Sequence, residues 1–308
     1  MTILLLDAGN TRLKWATIDY RSTDCHSTSQ ARVLPVLSNQ GSMTYQWSLL
    51  PSQLHDAFNI ISETVPPLTQ IVLCNVAGQR LDDAIESWLD DYLDSHRLSD
   101  RLCGHKLSRK KSHQDPGAPT LQNDKIRVKE NDGLTIDKVT AQAAAFGVTN
   151  AYREPSQLGA DRWVALVAAH YHHQGPSCII DSGTALTVDL ISKEGQHAGG
   201  LILPGMALMR AALVEKTDAV QVSEQGQTKA FDVHSTEDAV KAGVHAAMLG
   251  AVQQVLAECQ LKWGAEPHCV VTGGNAEVFK MSLPESSTYD SDWVLKGLAV
   301  IAGSTGQQ

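Results

Sequence analysis

The sequence has 308 residues, of which 43% are hydrophobic and 19% are charged, and its formal net charge is −9. A chain this long and this apolar can bury a hydrophobic core, which argues against general disorder, and its length suits two domains of about 150 residues each. An acidic protein repels phosphate backbones, so the charge argues against general nucleic-acid binding, although a local site can still be positive.

Hydrophobic periodicity predicts strands and helices along the whole chain. In the first half, strands are predicted at 3–6, 15–18 and 70–75, and helices at 53–63 and 79–95. In the second half, a strand–turn–strand is predicted at 178–191, a strand at 268–272, and helices at 161–173, 205–216, 235–259 and from about 291. The polar segment 21–46 is predicted to be a loop or a hairpin excursion, and 99–124 an exposed loop or insertion. The second is basic, which fits either a solvated loop or a patch for an anionic partner.

One strand–turn–strand motif occurs twice, about half the chain apart. The first copy is an apolar strand followed by Asp7-Ala8-Gly9-Asn10-Thr11, and the second is an apolar strand followed by Asp181-Ser182-Gly183-Thr184. In each copy a second apolar strand follows and ends at an aspartate, Asp19 or Asp189, which we interpret as a hairpin residue. The repeat predicts duplicated α/β domains, 1–150 and 151–308, each opening with a β-hairpin.

The first turn has the composition of a phosphate-binding loop. Gly9 allows a ligand to approach the backbone closely, and the amides of Gly9, Asn10 and Thr11 can form an anion-binding nest. Asp7 can hold Mg²⁺, and Lys14 can reach the outer phosphates. Alone, this turn could equally be an ordinary hairpin, but the second copy favours phosphate binding.

The second turn offers the same chemistry, because Thr184 can donate to phosphate and Asp181 can coordinate a cation. Two such turns resemble those of the superfamily of actin, the heat-shock chaperone ATPases and the sugar kinases. The resemblance implies two actin-like (RNase H-like) domains with ATP bound in the cleft between them. The glycine turn at 272–274 fits the adenosine-side loop of that superfamily.

Two further motifs narrow the resemblance to one family. They are Leu158-Gly159-Ala160-Asp161-Arg162 and Gly199-Gly200-Leu201-Ile202-Leu203-Pro204-Gly205. Together with the two turns, and in this order, they resemble type III pantothenate kinase from residue 1 to about 274. The resemblance implies a homodimer that phosphorylates pantothenate with ATP to 4′-phosphopantothenate, the first step of coenzyme A biosynthesis.

The resemblance also implies a role for particular residues. The ATP contacts fall on Asp7, Ala8, Gly9, Asn10, Thr11, Arg12, Leu13, Lys14 and Thr184. The pantothenate contacts fall on Tyr152, Gly159, Ala160, Asp161, Arg162 and Thr236. The catalytic base falls on Asp161, and the ligand of a monovalent cation, K⁺ or NH₄⁺, falls on Asp181. Mg²⁺ is expected to accompany ATP.

The chemistry of Asp161 and Arg162 agrees with these roles. Both residues stand at a predicted helix N-terminus, where a guanidinium and backbone amides suit a substrate carboxylate. The alternative is an ordinary capping aspartate with a surface arginine. The charge of Arg162 is expected to lower the pKa of Asp161. The nearby histidines 170, 172 and 173 do not share one helix face, so we expect a polar helix end there rather than a metal site.

The cysteines and apolar runs point to the cytoplasm. None of the six cysteines forms a C-x-x-C pair, which is typical of a reducing compartment. The apolar run Ile3 to Leu6 is too short for a signal peptide, and no run approaches the roughly 18 apolar residues of a membrane span. We therefore expect a soluble cytoplasmic protein without membrane or nucleic-acid partners.

Two other functions remain open from the sequence. One is a kinase of the same architecture that acts on another small alcohol. The other is a non-catalytic regulator that keeps the fold but binds a partner protein or DNA. The presence of Asp7, Asp161 and Asp181, together with the negative charge, favours a kinase.

Overall fold

The computed structural model describes residues 2–19, 34–50, 52–56, 59, 68–89, 134–216 and 233–305. The basic segment 99–124 and much of the segment 21–46 lie outside the described residues. The described residues form two compact units: those within 2–19 and 38–140 belong to the first, and those within 34–37 and 141–305 belong to the second. The domain division predicted at residue 150 therefore falls inside the second unit.

The first unit is built on one five-stranded sheet with the order β3-β2-β1-β4-β5. Its strands are β1 (Thr2–Ala8), β2 (Arg12–Asp19), β3 (Ser38–Thr44), β4 (Leu68–Asn75) and β5 (Thr135–Lys138). Helical residues lie at 52–56 (α1) and 79–89 (α2). Strands β1 to β3 pair antiparallel, whereas β4 and β5 run parallel to β1. Apolar side chains of β1 and β4 pack with those of α2 in one buried core.

The second unit repeats this topology, with a five-stranded sheet in the order β10-β9-β8-β11-β12. Its strands are β6 (Ala144–Ala145), β7 (Val148–Thr149), β8 (Ser177–Ser182), β9 (Ala185–Ile191), β10 (His197–Pro204), β11 (His268–Thr272) and β12 (Thr288–Tyr289). Its helices are α3 (Ala160–His172), α4 (Met206–Lys216), α5 (Thr236–Trp263) and α6 (Trp293–Thr305). Strands β6 and β7 form a separate small hairpin. The matching strand orders confirm the duplicated α/β hairpins that the sequence predicts.

A capping serine sets the start of α5, and a glycine allows α3 and α6 to pack closely. Ser235 caps α5, since its side chain accepts a hydrogen bond from Asp238 N at 3.0 Å, as in a capping box. Helices α3 and α6 approach at their backbones, because a Cβ atom at Gly297 would lie 2.4 Å from Val164 O. This close contact holds the start of α3, which carries Asp161 and Arg162, against a rigid neighbour.

No helix among the described residues combines the length and the apolar character that crossing a membrane requires.

Candidate active site

The turn between β1 and β2 uses part of its backbone internally. Gly9 N donates to Arg12 O at 3.0 Å, and the Tyr45 hydroxyl donates to Gly9 O. The amide of Gly9 is therefore hydrogen-bonded within the hairpin. A tight turn satisfies its own polar groups first.

The side chains of the segment 7–14 divide into three groups. Ala8 and Leu13 are fully buried in the core, so they can offer a ligand only backbone atoms. Asp7 and Lys14 are directly opposite in the β1–β2 register, which puts both side chains on the same face of the sheet. The remaining side chains, which are exposed, are Asn10, Thr11 and Arg12.

The turn between β8 and β9 has an equivalent arrangement. Gly183 N donates to Ala185 O at 2.9 Å, and Thr184 is exposed beside it. Gly205 N donates to Thr184 O at 3.0 Å. A Cβ atom at Gly205 would lie 2.4 Å from Gly183 O. The end of the second glycine motif therefore packs directly onto this turn, a contact that only glycine permits.

The glycine turn after β11 meets the same edge of the sheet. Gly273 has a φ of +89°, and a Cβ atom there would lie 2.4 Å from Asp181 Oδ1 and 2.6 Å from Ser182 O. Asn275 N donates to Ser182 O at 2.9 Å. The Asp181 carboxylate and a backbone carbonyl thus converge beside Gly273, and such oxygen atoms are the ligands that hard cations take.

Asp161 lies in the first turn of α3, with its carboxylate folded back toward the helix N-terminus. Its Oδ1 accepts a hydrogen bond from Arg162 N at 2.8 Å, and a Cβ atom at Gly159 would lie 2.5 Å from the same oxygen. Burial raises the pKa of Asp161, outweighing the hydrogen bond from Arg162 N and the charge of Arg162, which lower it. The expected lowering of this pKa by the charge of Arg162 is confirmed, but burial outweighs it and the net shift is upward.

Arg162 is itself paired with another carboxylate. Its Nε donates to Asp189 Oδ2 at 2.7 Å, and its Nη2 donates to Asp189 Oδ1 at 2.6 Å. The two residues are 6% and 3% exposed. Burial by itself would lower the pKa of Arg162, but the hydrogen bonds and charge of Asp189 raise it by more. The guanidinium stays charged, yet Asp189 already balances its charge.

The sequence analysis missed this role of Asp189. The residue does not end its strand, because β9 continues to Ile191, and it is buried in a bidentate ion pair rather than placed at a hairpin end. The sequence does carry a signal for a buried Asp189, because the residue stands between Val188 and Leu190 within an apolar run. A carboxylate in such a run is rarely buried without a partner.

The predicted substrate residues are only partly brought together. Tyr152 joins Arg162, whose Nη1 donates to the Tyr152 hydroxyl at 2.9 Å. Gly159 and Ala160 form the start of α3 beside Asp161. Thr236 is exposed at the first position of α5 and takes no part in the hydrogen bonds described around Arg162. The predicted ATP contacts at 7–14 belong to the first unit, and all the other predicted site residues belong to the second.

The histidines at the end of α3 are packed against aromatic rings. The His173 ring stacks on His268 with centroids 4.3 Å apart, and the His172 ring meets Trp293 at 6.0 Å. The half-buried rings make this helix end less polar than the sequence predicts. In the part of the chain that the structure describes, no group of three His, Cys, Asp or Glu side chains could hold a metal ion.

Comparison with known proteins identifies similar chains. A family model described as type III pantothenate kinase matches residues 119–258. The type III pantothenate kinase of Azoarcus sp. strain BH72 is 32% identical over 302 residues, which cover 98% of this chain and 91% of the relative. That of Thiobacillus denitrificans is 39% identical over 175 residues, which cover 57% of this chain and 71% of the relative.

A solved structure gives the fold. A proposed 2-dehydro-3-deoxygalactonokinase from Sinorhizobium meliloti aligns with a TM-score of 0.55 at 12% sequence identity, covering 99% of this chain and 100% of that one. Such a likeness bears on the fold alone. The predicted α/β fold class is confirmed by this likeness.

Proposed function

The chain belongs to the type III pantothenate kinase family, and we propose which of its residues carry out the family's reaction. The enzyme phosphorylates pantothenate in coenzyme A biosynthesis. The γ-phosphoryl group of ATP passes to the primary hydroxyl of pantothenate, giving 4′-phosphopantothenate and ADP. The observation that carries this function is the 32% identity with a relative of that name along 98% of the chain.

We assign the ATP contacts to Asp7 through Lys14 and to Thr184. The support is that two turns with equivalent internal hydrogen bonds open the two sheets at the same topological position. Asp7 fits Mg²⁺, because its half-buried carboxylate stands at a strand end opposite Lys14. When bound, Mg²⁺ would neutralise phosphate charge. Lys14 would contribute a positive charge to the outer phosphates.

Asp161 is the proposed catalytic base. A half-buried carboxylate with a raised pKa is a stronger base than a solvated one, and phosphoryl transfer through a loose transition state needs only late removal of the hydroxyl proton. Asp161 would align the hydroxyl and accept its proton as the new bond forms. The other proposed pantothenate contacts are Tyr152, Gly159, Ala160, Arg162 and Thr236.

Arg162 would contribute directed hydrogen bonds rather than net charge. Asp189 neutralises its guanidinium, as the 2.6 and 2.7 Å bonds indicate. A neutralised arginine still presents N–H groups in a fixed plane, and these can recognise the oxygens of a substrate.

A monovalent cation, K⁺ or NH₄⁺, is proposed at Asp181. Its carboxylate and the Ser182 carbonyl converge beside Gly273, which is an oxygen donor set suited to such an ion. The ion would supply positive charge near Thr184, where the phosphates are expected.

We also propose a homodimer formed through β10 and α4. Strand β10 is an edge of its sheet, and five apolar side chains of these neighbouring elements are at least 42% exposed, namely Leu201, Ile202, Leu208, Leu213 and Val214. Exposed apolar residues grouped in this way mark protein–protein contacts. Light scattering of the purified chain and of Ile202→Glu would test it, since a monomeric unmodified chain contradicts the proposal.

The proposed location is the cytoplasm. Cys74, Cys178, Cys259 and Cys269 are buried free thiols, as expected in a reducing compartment.

The function is tested by a coupled assay for ADP on the purified chain. Pantothenate should stimulate ADP release, and mass spectrometry should detect 4′-phosphopantothenate. A panel of other small alcohols distinguishes a kinase with a different substrate. Complete absence of ADP release with every alcohol would instead favour a non-catalytic regulator.

A further inference from the structure

A closed ring of hydrogen bonds lies behind the proposed pantothenate contacts. Ala151 N donates to His197 Nδ1 at 3.4 Å, and His197 Nε2 lies 3.0 Å from Asp189 Oδ1. Asp189 accepts two hydrogen bonds from Arg162, which donates to the hydroxyl of Tyr152 at 2.9 Å. Since Tyr152 follows Ala151 in the chain, the ring closes on itself.

The ring assigns one tautomer to His197. Because Nδ1 accepts from the Ala151 amide, the ring proton belongs on Nε2, which donates it to Asp189. The Asp189 carboxylate then accepts three hydrogen bonds, two from Arg162 and one from His197. These three hydrogen bonds fix the orientation of the carboxylate, and the carboxylate in turn fixes the orientation of the Arg162 guanidinium.

Burial makes these partners hard to replace. Arg162, Asp189 and His197 are 6%, 3% and 5% exposed, so water cannot readily take the place of a missing partner. Gly200 pairs with Asp189 in the β9–β10 register. A Cβ atom at Gly200 would lie 2.7 Å from Asp189 Oδ1 and 2.9 Å from Arg162 Nη2. This accounts for the second glycine of the Gly199-Gly200 pair.

The same residues hold the loop that carries Tyr152. The Tyr152 ring stacks on His197 with centroids 6.0 Å apart and an interplanar angle of 21°. The Arg162 guanidinium carbon lies 5.8 Å from the centroid of the same ring. Tyr152 N also donates to Asn150 Oδ1 at 3.0 Å. Tyr152 is thus restrained by its hydroxyl, its ring and its backbone.

We propose that Asp189 and His197 are positioning residues for pantothenate binding, which hold Arg162 and Tyr152 in the geometry that the substrate meets. The proposal rests on the function and on the substrate contacts proposed above. Neither residue needs to touch pantothenate. Their effect is preorganisation, because a site that is ordered before binding loses less conformational entropy when the substrate arrives.

The test uses steady-state kinetics of Asp189→Asn, His197→Met and His197→Gln beside the unmodified chain. Misplacing Arg162 and Tyr152 should raise the KM for pantothenate about 10- to 100-fold, with a much smaller change in kcat and in the KM for ATP. Gln can place an N–H near the former Nε2, whereas Met cannot. The KM of His197→Gln should therefore lie between those of the unmodified chain and His197→Met.

His268→Gln is the matched control. His268 also lies in the second unit with a hydrogen-bonded Nε2, 2.8 Å from Thr288 Oγ1, but it stands at the amino end of β11, away from Arg162. Its substitution should leave both KM values unchanged. Thermal melts of every variant show which of them are folded.

The outcomes separate the two proposals. Absence of pantothenate-dependent ADP release from the unmodified chain would overturn the proposed function and this inference with it. An active unmodified chain whose folded His197→Met variant keeps its pantothenate KM within about twofold would overturn the positioning role alone. Equal rises in the KM values for ATP and pantothenate would also overturn that role, since they indicate general damage. If Asp189→Asn does not fold, the two His197 variants decide the question.

Discussion

Replacing Asp161 by Asn should separate catalysis from stability. The amide keeps the size of the carboxylate and an oxygen that can accept the 2.8 Å hydrogen bond from Arg162 N, but it cannot accept a proton. General-base assistance contributes roughly 10²- to 10⁴-fold, or about 3 to 5 kcal/mol of barrier. We expect kcat to fall by that factor while the KM for ATP changes little.

The free energy of unfolding of Asp161→Asn should stay the same or rise, whereas its kcat falls. Burial raises the pKa of Asp161 in the folded chain, so the folded state binds this proton more tightly than the unfolded state does. By linkage, stability from this group is gained as the pH falls through the folded pKa and is lost above it. At neutral pH the ionised carboxylate therefore destabilises the fold. Asp161→Asn removes that charge and should keep or raise the Tm at pH 7 to 8.

The raised pKa also predicts the pH dependence of turnover. Because the base must be ionised, kcat should decline on the acid side at a pH above the ordinary range of an aspartate. Asp161→Asn should lose this acid limb from its residual activity. The measurements are kcat from pH 4 to 8 and thermal melts of both proteins.

Asp83→Asn is the control, since Asp83 is an exposed carboxylate on α2 whose substitution should change neither kcat nor Tm. A folded Asp161→Asn that loses less than about 10²-fold in kcat would show that the base lies elsewhere. A Tm several degrees below that of the unmodified chain would refute the argument that burial of the charge is unfavourable.

Three further predictions concern the rest of the second unit. Turnover should rise with K⁺ or NH₄⁺ and much less with Na⁺. Asp181→Asn should lose most of this dependence, because it removes a cation ligand. Equal rates in Na⁺ and K⁺ for the unmodified chain would refute the cation site. Gly273→Ala should destabilise the chain by about 1 kcal/mol or more in urea unfolding, since its Cβ would lie 2.4 Å from Asp181 Oδ1 at a φ of +89°. Gly274→Ala, with open space around its Cβ, should cost much less, and equal losses would contradict the contact. Burial, together with repulsion from neighbouring histidines, lowers the pKa of His173 and of His268 below the ordinary 6.5, so stability should be lost as the pH falls from about 6.5 through the lowered folded pKa. Tm measured from pH 5 to 8 should show a shallower acid decline for His268→Gln, and an unchanged slope would refute this.

Local signals in the sequence predicted the elements that depend on local physics. The apolar runs before Asp7 and Asp181 became β1 and β8, because strand periodicity and turn residues act within a few positions of one another. The capping box at Ser235 marked the start of α5 for the same reason. The repeated motif was enough to predict two sheets of one topology, which the strand orders confirm.

The order of the four motifs along the chain also indicated the family that the comparisons establish. The roles assigned to single residues remain predictions. Their residue types fit the chemistry, but a motif alone does not say which atoms face a ligand and which are used within the fold. The Gly9 amide illustrates this, since the hairpin itself takes it.

Only the tertiary structure decided the electrostatics around Asp161 and Arg162. Arg162 and Asp189 are 27 residues apart in sequence, and nothing local shows that the arginine pairs with that carboxylate rather than with its neighbour Asp161. The sign of the Asp161 pKa shift depends on this choice and on burial, both of which are set by how α3 packs against β8 and β9. His197 could not be assigned either, because its role exists only where the Ala151 amide and the Asp189 carboxylate meet the two nitrogens of one buried ring. Pattern along the chain determines which segments form strands and helices, whereas pKa values and hydrogen-bond partners depend on distances that only the packed fold defines.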